Sequence, residues 1–265
     1  MQPDIQQLTS LITETARTHL KPRFQRVAGE RKSDGSFLTE ADLAMHHALM
    51  GILAQRWPEI RLLSEEMSPE EQTECLTSGR PLWCIDPLDG TSNFAAGIPL
   101  YSVSLALVVE GKPVLGVIYD PERDECFTAV RGRGAWLNGK VLKSRPGTDE
   151  LSSAVGIVDF KRLPKPIAEQ LVRHPPYHSQ RNLGSCALEW AWLAAGRGDF
   201  YLHGGMRMWD LAAGSLILGE TGGRSVTLEG DGVFQSETGP RSVIAARNAV
   251  LFQALLKTFS VPVRS

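Results

Sequence analysis

The sequence predicts an α+β fold built in layers, with two halves of unlike connectivity. One observation is a series of β-rich runs, Ser102–Val109, Val114–Tyr119 and Glu125–Val130. They are separated by turn chemistry at Glu110-Gly111-Lys112 and Asp120-Pro121-Glu122, the pattern of an antiparallel meander. A second is the alternation of strand-like and helix-like runs after residue 150, which favours helices layered on a sheet. The third is size: 265 residues with 42% hydrophobic content suit one large domain or two closely packed ones around a substantial core.

Along the chain, Ile5, Leu8, Leu11, Ile12, Thr15 and Leu20 recur mostly at three- and four-residue spacing, predicting an amphipathic helix within residues 3–28. Gly29 to Ser36 is polar, with few apolar anchors, and reads as an exposed loop able to serve as a lid. Thr39 is placed to cap a second helix carrying Ala41, Ala44, Ala48, Leu49, Ile52 and Leu53. Asp42 then falls in its first turn, where a negative charge complements the helix dipole. Ile60–Leu63 is a short strand ending in Ser64-Glu65-Glu66. Neighbouring strand side chains point opposite ways, so one of the two acids can face a site while the other meets solvent. Residues 67–81 read as a polar surface connection.

The densest chemistry lies at 82–94, where Trp83, Cys84 and Ile85 form a buried strand that Pro87 and Gly90 turn sharply at its exit. Asp86 and Asp89 offer the anionic oxygen that hard divalent cations require, and Gly90 and Thr91 place small residues where backbone N–H groups can face a phosphate. Gly132 to Gly139 is glycine-rich but lacks the following helix that a dinucleotide fingerprint needs. The polar stretch from Lys143 to Glu150 marks the boundary between the halves, 1–146 and 147–265. In the second half, Arg181 to Ala187 is a loop opening a helix, suited to ligand contacts, and Asp210 precedes a run of small residues where something packs closely. By itself Asp210 reads as a helix N-cap.

Composition excludes some classes. A net charge of -2 gives no basic field for nucleic acid or an anionic membrane surface, so a small partner is the expectation. Cys75, Cys84, Cys126 and Cys186 lack CxxC spacing and read as reduced, mostly buried thiols. No apolar run approaches the roughly 20 residues of a membrane span, and the N-terminus has no basic segment followed by an apolar one, so a cytoplasmic location is expected.

Taken jointly, Asp86-Pro87-Leu88-Asp89-Gly90-Thr91-Ser92-Asn93-Phe94, Trp209-Asp210-Leu211-Ala212-Ala213-Gly214 and Ser64-Glu65-Glu66 resemble the ordered signatures of the inositol monophosphatase family of lithium-sensitive, magnesium-dependent phosphatases. The resemblance implies an αβαβα sandwich of two tightly packed subdomains, a homodimer, and two or three Mg2+ per site. It implies that Glu65, Asp86 and the Leu88 carbonyl hold one ion, that Asp86, Asp89 and Asp210 hold a second, and that Glu65 reaches a third through water near Lys32 and Ser33. Thr91, paired with Asp42, and Glu65 would orient the attacking water, while the Gly90 and Thr91 amides hold the phosphate. Hydrolysis would proceed with inversion at phosphorus.

Substrate contacts implied by the resemblance are Asp89, Asp210, the Gly184-Ser185-Cys186 segment and His203. His203 stands where inositol monophosphatases carry a sugar-binding glutamate, seven residues before Asp210. A neutral imidazole lacks the carboxylate's two acceptors, so the ester is open. Inositol 1-phosphate leads. Histidinol phosphate and a nucleotide 3′-phosphate are the alternatives within the superfamily, and a catalytically weak regulatory or binding protein on the same fold is the alternative of another class. Arg207 reads either as a contact for a second anionic group or as a solvated surface arginine.

Overall fold

A computed structural model of the chain describes residues 3–26, 30–31 and 37–262. The expected lid falls mostly outside this set, as do Lys32 and Ser33.

The first helix, α1 (Ile5–His19), starts at Asp4, whose side chain accepts from the Gln6 amide, and buries Leu8, Leu11 and Ile12. A short ribbon, β1 (Glu30–Arg31) and β2 (Phe37–Leu38), leads to α2 (Glu40–Arg56). As expected, Thr39 caps α2, and Asp42 completes a capping box by accepting from the Thr39 amide at 2.7 Å. Next come β3 (Arg61–Ser64), α3 (Pro69–Thr77) and β4 (Leu82–Asp89). Helix α3 corrects the reading of 67–81 as plain surface connection. Ser68-Pro69-Glu70-Glu71 is a capping box with proline in the first turn, a start signal present in the sequence.

A five-residue helix, α4 (Thr91–Ala95), follows, then the meander β5 (Ser102–Val109), β6 (Lys112–Asp120), β7 (Glu125–Val130), β8 (Gly134–Leu137) and β9 (Lys140–Val141). Strands β3 to β9 form one seven-stranded sheet in sequence order. Only its β3–β4 pair is parallel.

The remaining chain runs β10 (Val155–Val158), α5 (Lys165–Arg173), β11 (Ser179–Arg181), α6 (Cys186–Ala194), β12 (Phe200–Met206), α7 (Met208–Glu220), β13 (Arg224–Val226), β14 (Arg241–Ala246) and α8 (Ala249–Thr258). Its five strands form a second sheet in the order β11-β10-β12-β14-β13.

Burial sorts these elements into five layers. Trp83 and Ile85 of β4 point into a core shared with Leu8, Ile12, Met45 and Leu49 of α1 and α2. Leu82 and Cys84, one residue out of phase, point into another core with Ala187, Trp190, Ala213 and Ile217 of α6 and α7. Tyr201, Val243 and Ala245 close that core from the second sheet, while Leu202, Ile244 and Ala246 face Leu251 and Leu255 of α8 on its other side. Helices, sheet, helices, sheet, helices is the αβαβα sandwich. The central helix layer is tight: a Cβ on Gly214 would lie 2.3 Å from Trp190 Cβ, and one on Gly116 3.1 Å from the Ala213 carbonyl. The small residues after Asp210 thus admit α6 and the sheet.

All four cysteines are unpaired, with Cys75, Cys84 and Cys126 buried and Cys186 partly so. Among the described residues no helix is long and apolar enough to cross a membrane.

Candidate metal and phosphate site

In a regular strand, residues three apart point to opposite faces, so Asp86 and Asp89 could not serve one site. The fold solves this with a bulge. Asp86 pairs with Ser104 and Asp89 with Ser102, three residues of β4 against two of β5, and the register shift turns both carboxylates to the same hollow. Pro87 lies inside this bulge, so the strand continues to Asp89 and the sharp turn falls at Gly90 alone. Gly90 has φ +91, and a Cβ there would lie 3.0 Å from the Leu100 carbonyl and 3.1 Å from Ser185 Cβ. Glycine is required on both counts.

Asp210 reaches the same place from α7. It is not the N-cap expected from sequence but the third residue of the helix: Arg207 is the cap, and its amide donates to Asp210 Oδ2 at 2.8 Å. The Ser104 hydroxyl holds the Trp209 carbonyl at 3.0 Å, fixing this helix start to β5. One carboxylate oxygen from each of Asp86, Asp89 and Asp210 falls within a set spanning no more than 4.8 Å. Glu65 lies outside that trio but lines the hollow with it, together with Leu88, Gly90, Thr91, Ser92 and Gly184. The hollow holds about 170 Å³. Gln72 of α3, 7% exposed, donates to the Ser64 carbonyl at 3.1 Å and the Met67 carbonyl at 3.2 Å, bracketing the turn that carries Glu65.

The carboxylates differ in support. Asp86 is buried and, among the described residues, accepts one hydrogen bond, from the Leu88 amide at 3.0 Å. Burial and the charges of Glu65, Asp89 and Asp210 push its carboxyl well above the usual range. Burial and the charges of Asp89 and Glu65 do the same to Asp210. Asp89 accepts from the Ser102 hydroxyl (3.2 Å), the Ser185 hydroxyl, and the Cys186 and Ala187 amides (3.1 and 2.8 Å) at the start of α6. Burial still raises it, against those donors. Like-charged acids crowded into one hollow fit a divalent ion: three carboxylate oxygens, with the Leu88 carbonyl and Glu65 beside them, form a hard donor set.

Beside the acids, the Thr91 hydroxyl lies 3.0 Å from both Asp42 Oδ1 and the Leu88 carbonyl. Asp42 is buried, and its carboxyl is pushed up to about 6 because desolvation outweighs the bonds from Thr39 and Thr91. The sequence located Asp42 in a first helical turn, and its pairing with Thr91, 49 residues away and implied by the resemblance, is present in the fold.

The expected substrate contacts separate. Gly184 lines the hollow. Ser185 is fully buried and its hydroxyl holds Asp89, which makes it a support for a ligand rather than a surface for substrate. Cys186 is partly exposed, with its sulfur 3.8 Å from His203 Nε2. His203 departs from the expectation. It is 4% exposed and absent from the hollow's lining; Nδ1 accepts from the Gly205 amide at 3.1 Å, and Nε2 lies 3.5 Å from Asp159 Oδ2. Strand alternation puts it on the face of Tyr201, which packs against α6. Arg207 is exposed and its guanidinium donates to the Thr238 carbonyl at 2.7 Å, as a surface arginine does.

Residues missed from sequence are supports: Gln72, Ser102, Glu189 and Asn93. Asn93 donates to the Leu100 and Leu183 carbonyls at 2.7 and 2.6 Å, joining the β4 turn to the loop before α6. It stands within the matched Asp86–Phe94 signature, the one signal that pointed to it.

A sequence profile described as the inositol monophosphatase family matches residues 3–261. Inositol monophosphatase 2 of Solanum lycopersicum is 35% identical over 239 residues, covering 87% of this chain and 88% of its own length. Nus factor SuhB of Pasteurella multocida is 36% identical over 196 residues, covering 72% of each. A crystal structure of an IMPase/NADP phosphatase complexed with Mg2+ and phosphate superposes with a TM-score of 0.81 at 26% identity, covering 96% of this chain and 95% of that one. With the whole fold, the signatures and these likenesses in agreement, the chain belongs to the inositol monophosphatase family.

Proposed function

We propose that this chain hydrolyses a small phosphate monoester with Mg2+ held by Glu65, Asp86, the Leu88 carbonyl, Asp89 and Asp210. The observation that carries this reading is the convergence of Asp86, Asp89 and Asp210 within 4.8 Å beside Gly90 and Thr91. Mg2+ at such a site supplies charge neutralisation of the phosphate, acidification of a water and stabilisation of the leaving alkoxide.

The chain's own groups do the rest. Gly90 ends the strand and opens α4, so the first amides of that helix have no intrahelical acceptor and are oriented for phosphate oxygens. The Thr91 hydroxyl hands its hydrogen bond to Asp42 Oδ1, leaving an oxygen lone pair to orient water, and burial pushes the Asp42 carboxyl up to about 6. Glu65 is the second orienting group for that water.

Inositol 1-phosphate remains the leading ester, with histidinol phosphate and a nucleotide 3′-phosphate next. The burial of His203, with Nε2 3.5 Å from Asp159 Oδ2, leaves the order of these esters to be settled by assay. A panel of these three esters with Mg2+ tests the assignment. Turnover that requires Mg2+ and singles out one ester supports it; silence on every ester, with Mg2+ bound, would end it. The name Nus factor carried by several relatives favours a second reading, a regulatory protein on this fold, and that silent outcome is what it predicts.

A further inference from the structure

Two buried carboxylates grip one stretch of backbone from opposite sides. Asp89 takes the Ser185 hydroxyl and the Cys186 and Ala187 amides. Glu189, one turn into α6, reaches back and takes the two donors before them: the Leu183 amide at 2.6 Å and the Gly184 amide at 3.3 Å, the latter shared with Asn182 Oδ1 at 2.9 Å. Five consecutive residues thus deliver their donors to two acids.

Glu189 is 2% exposed. Its other oxygen accepts the Tyr201 hydroxyl from β12. The ionisable groups facing it are Tyr201, Cys186 on its own helix and Asp89 from β4. Among the described residues no ion pair links it to a cation, and burial pushes its carboxyl up to about 7. A buried acid without a cation is costly, and an apolar residue would fill this position in α6 more cheaply. What an apolar residue would not do is hold the turn at 183–184. Gly184 there has φ +73, and a Cβ on it would lie 3.0 Å from Asn93 Nδ2. The turn is tied by Asn93 at the Leu183 carbonyl and by Glu189 at the Leu183 and Gly184 amides.

We propose that Glu189 is a positioning residue for the metal hollow: it locks the Leu183–Gly184 turn from behind, so that Gly184 keeps its place in the wall and the start of α6 keeps its donors on Asp89. This rests on the reading of Asp89 as a metal ligand.

The test uses the full chain, its Glu189→Leu and Glu189→Gln variants, amide hydrogen exchange without metal or ester, and calorimetric Mg2+ titration. In Glu189→Leu the Leu183 and Gly184 amides are expected to exchange about tenfold faster or more, with Mg2+ affinity reduced about three- to tenfold. Glutamine offers an oxygen to the same amides and an NH2 to the Tyr201 oxygen, so Glu189→Gln should stay within about twofold of wild type in both. Unchanged exchange and affinity in a folded Glu189→Leu would overturn the proposal, as would equal damage in both variants. If Glu189→Leu does not fold, the wild-type chain decides. Its two amides must be as protected as those of α6, and loop-like exchange there would show that no lock exists. Because exchange is read without ester, a failed phosphatase assignment appears only in the ester panel and leaves this result separate.

Discussion

The hollow has two unlike walls. One, the exit of β4 and the start of α4, is built from its own neighbours: Leu88 bonds Asp86, Thr91 bonds Leu88, and Gly90 makes the turn. The other, the Leu183–Ala187 segment whose Gly184 lines the hollow, is held from afar by Asn93 and Asp89 and from within α6 by Glu189. Among the described residues, the first wall carries Asp86, with one hydrogen bond and much repulsion from neighbouring acids, and Asp89, with four donors. The second supplies donors, and it is their direction onto Asp89 that separates that residue from Asp86. Glu65 after β3 and Asp210 of α7 complete the lining, which is why neither segment makes the site alone.

The sharpest way to break this contrast is to neutralise the two aspartates separately. Asp89→Asn and Asp86→Asn should each lower Mg2+-dependent turnover by about 100-fold or more and weaken Mg2+ binding, since each removes an anionic ligand. Without metal they should diverge. Asparagine at 86 still accepts from Leu88 and relieves like-charge crowding, so thermal unfolding at pH 8 should move up, by about 1 kcal/mol or more. Asparagine at 89 turns an NH2 toward hydroxyl and amide donors, and should destabilise by about 1–3 kcal/mol. Shifts of the same sign would refute the distinction between the walls.

Asp42 gives a pH signature of similar size. Its folded carboxyl sits at about 6, above the 3.8 of an ordinary aspartate, so the folded chain binds this proton more tightly than the unfolded one. The stability this contributes is complete below pH 3.8 and lost as pH rises through about 6. The loss is at most about 3 kcal/mol. Asp42→Asn should flatten that part of the metal-free stability curve; an unaltered slope between pH 4 and 6 would contradict the assignment.

Smaller effects sharpen the picture. Gly90→Ala forces a side chain into a left-handed backbone against Leu100 and should cost about 1–2 kcal/mol, measurable by denaturant unfolding. His203→Gln, behind the far wall, should alter the ranking of esters by less than about tenfold and leave Mg2+ affinity untouched, because it removes no ligand. A change in Mg2+ affinity there would erase the division of labour.

This contrast also explains what the sequence disclosed. The near wall was legible because Asp86, Asp89, Gly90 and Thr91 are adjacent in the chain and their spacing carries the chemistry. The meander and the alternating half were legible from period and turns. The supports were not: Asn93 meets Leu183 across 90 residues, and Glu189 looks like any helical glutamate until burial shows what it holds. The burial of His203 was not legible because position relative to Asp210 says nothing about which face of β12 it occupies; that is set by the layer packed against the strand. Helix α3 was missed despite a readable capping box, overridden by the polar composition of 67–81.

The proposed function stands on Asp86, Asp89 and Asp210 together holding a divalent cation. Crystals of the full chain soaked with Mn2+ and phosphate, measured at the manganese absorption edge, test it most directly. The account predicts anomalous density among these three carboxylates, with phosphate against the Gly90–Thr91 turn. Saturating Mn2+ that leaves the three acids bare, or binds only elsewhere, would contradict it.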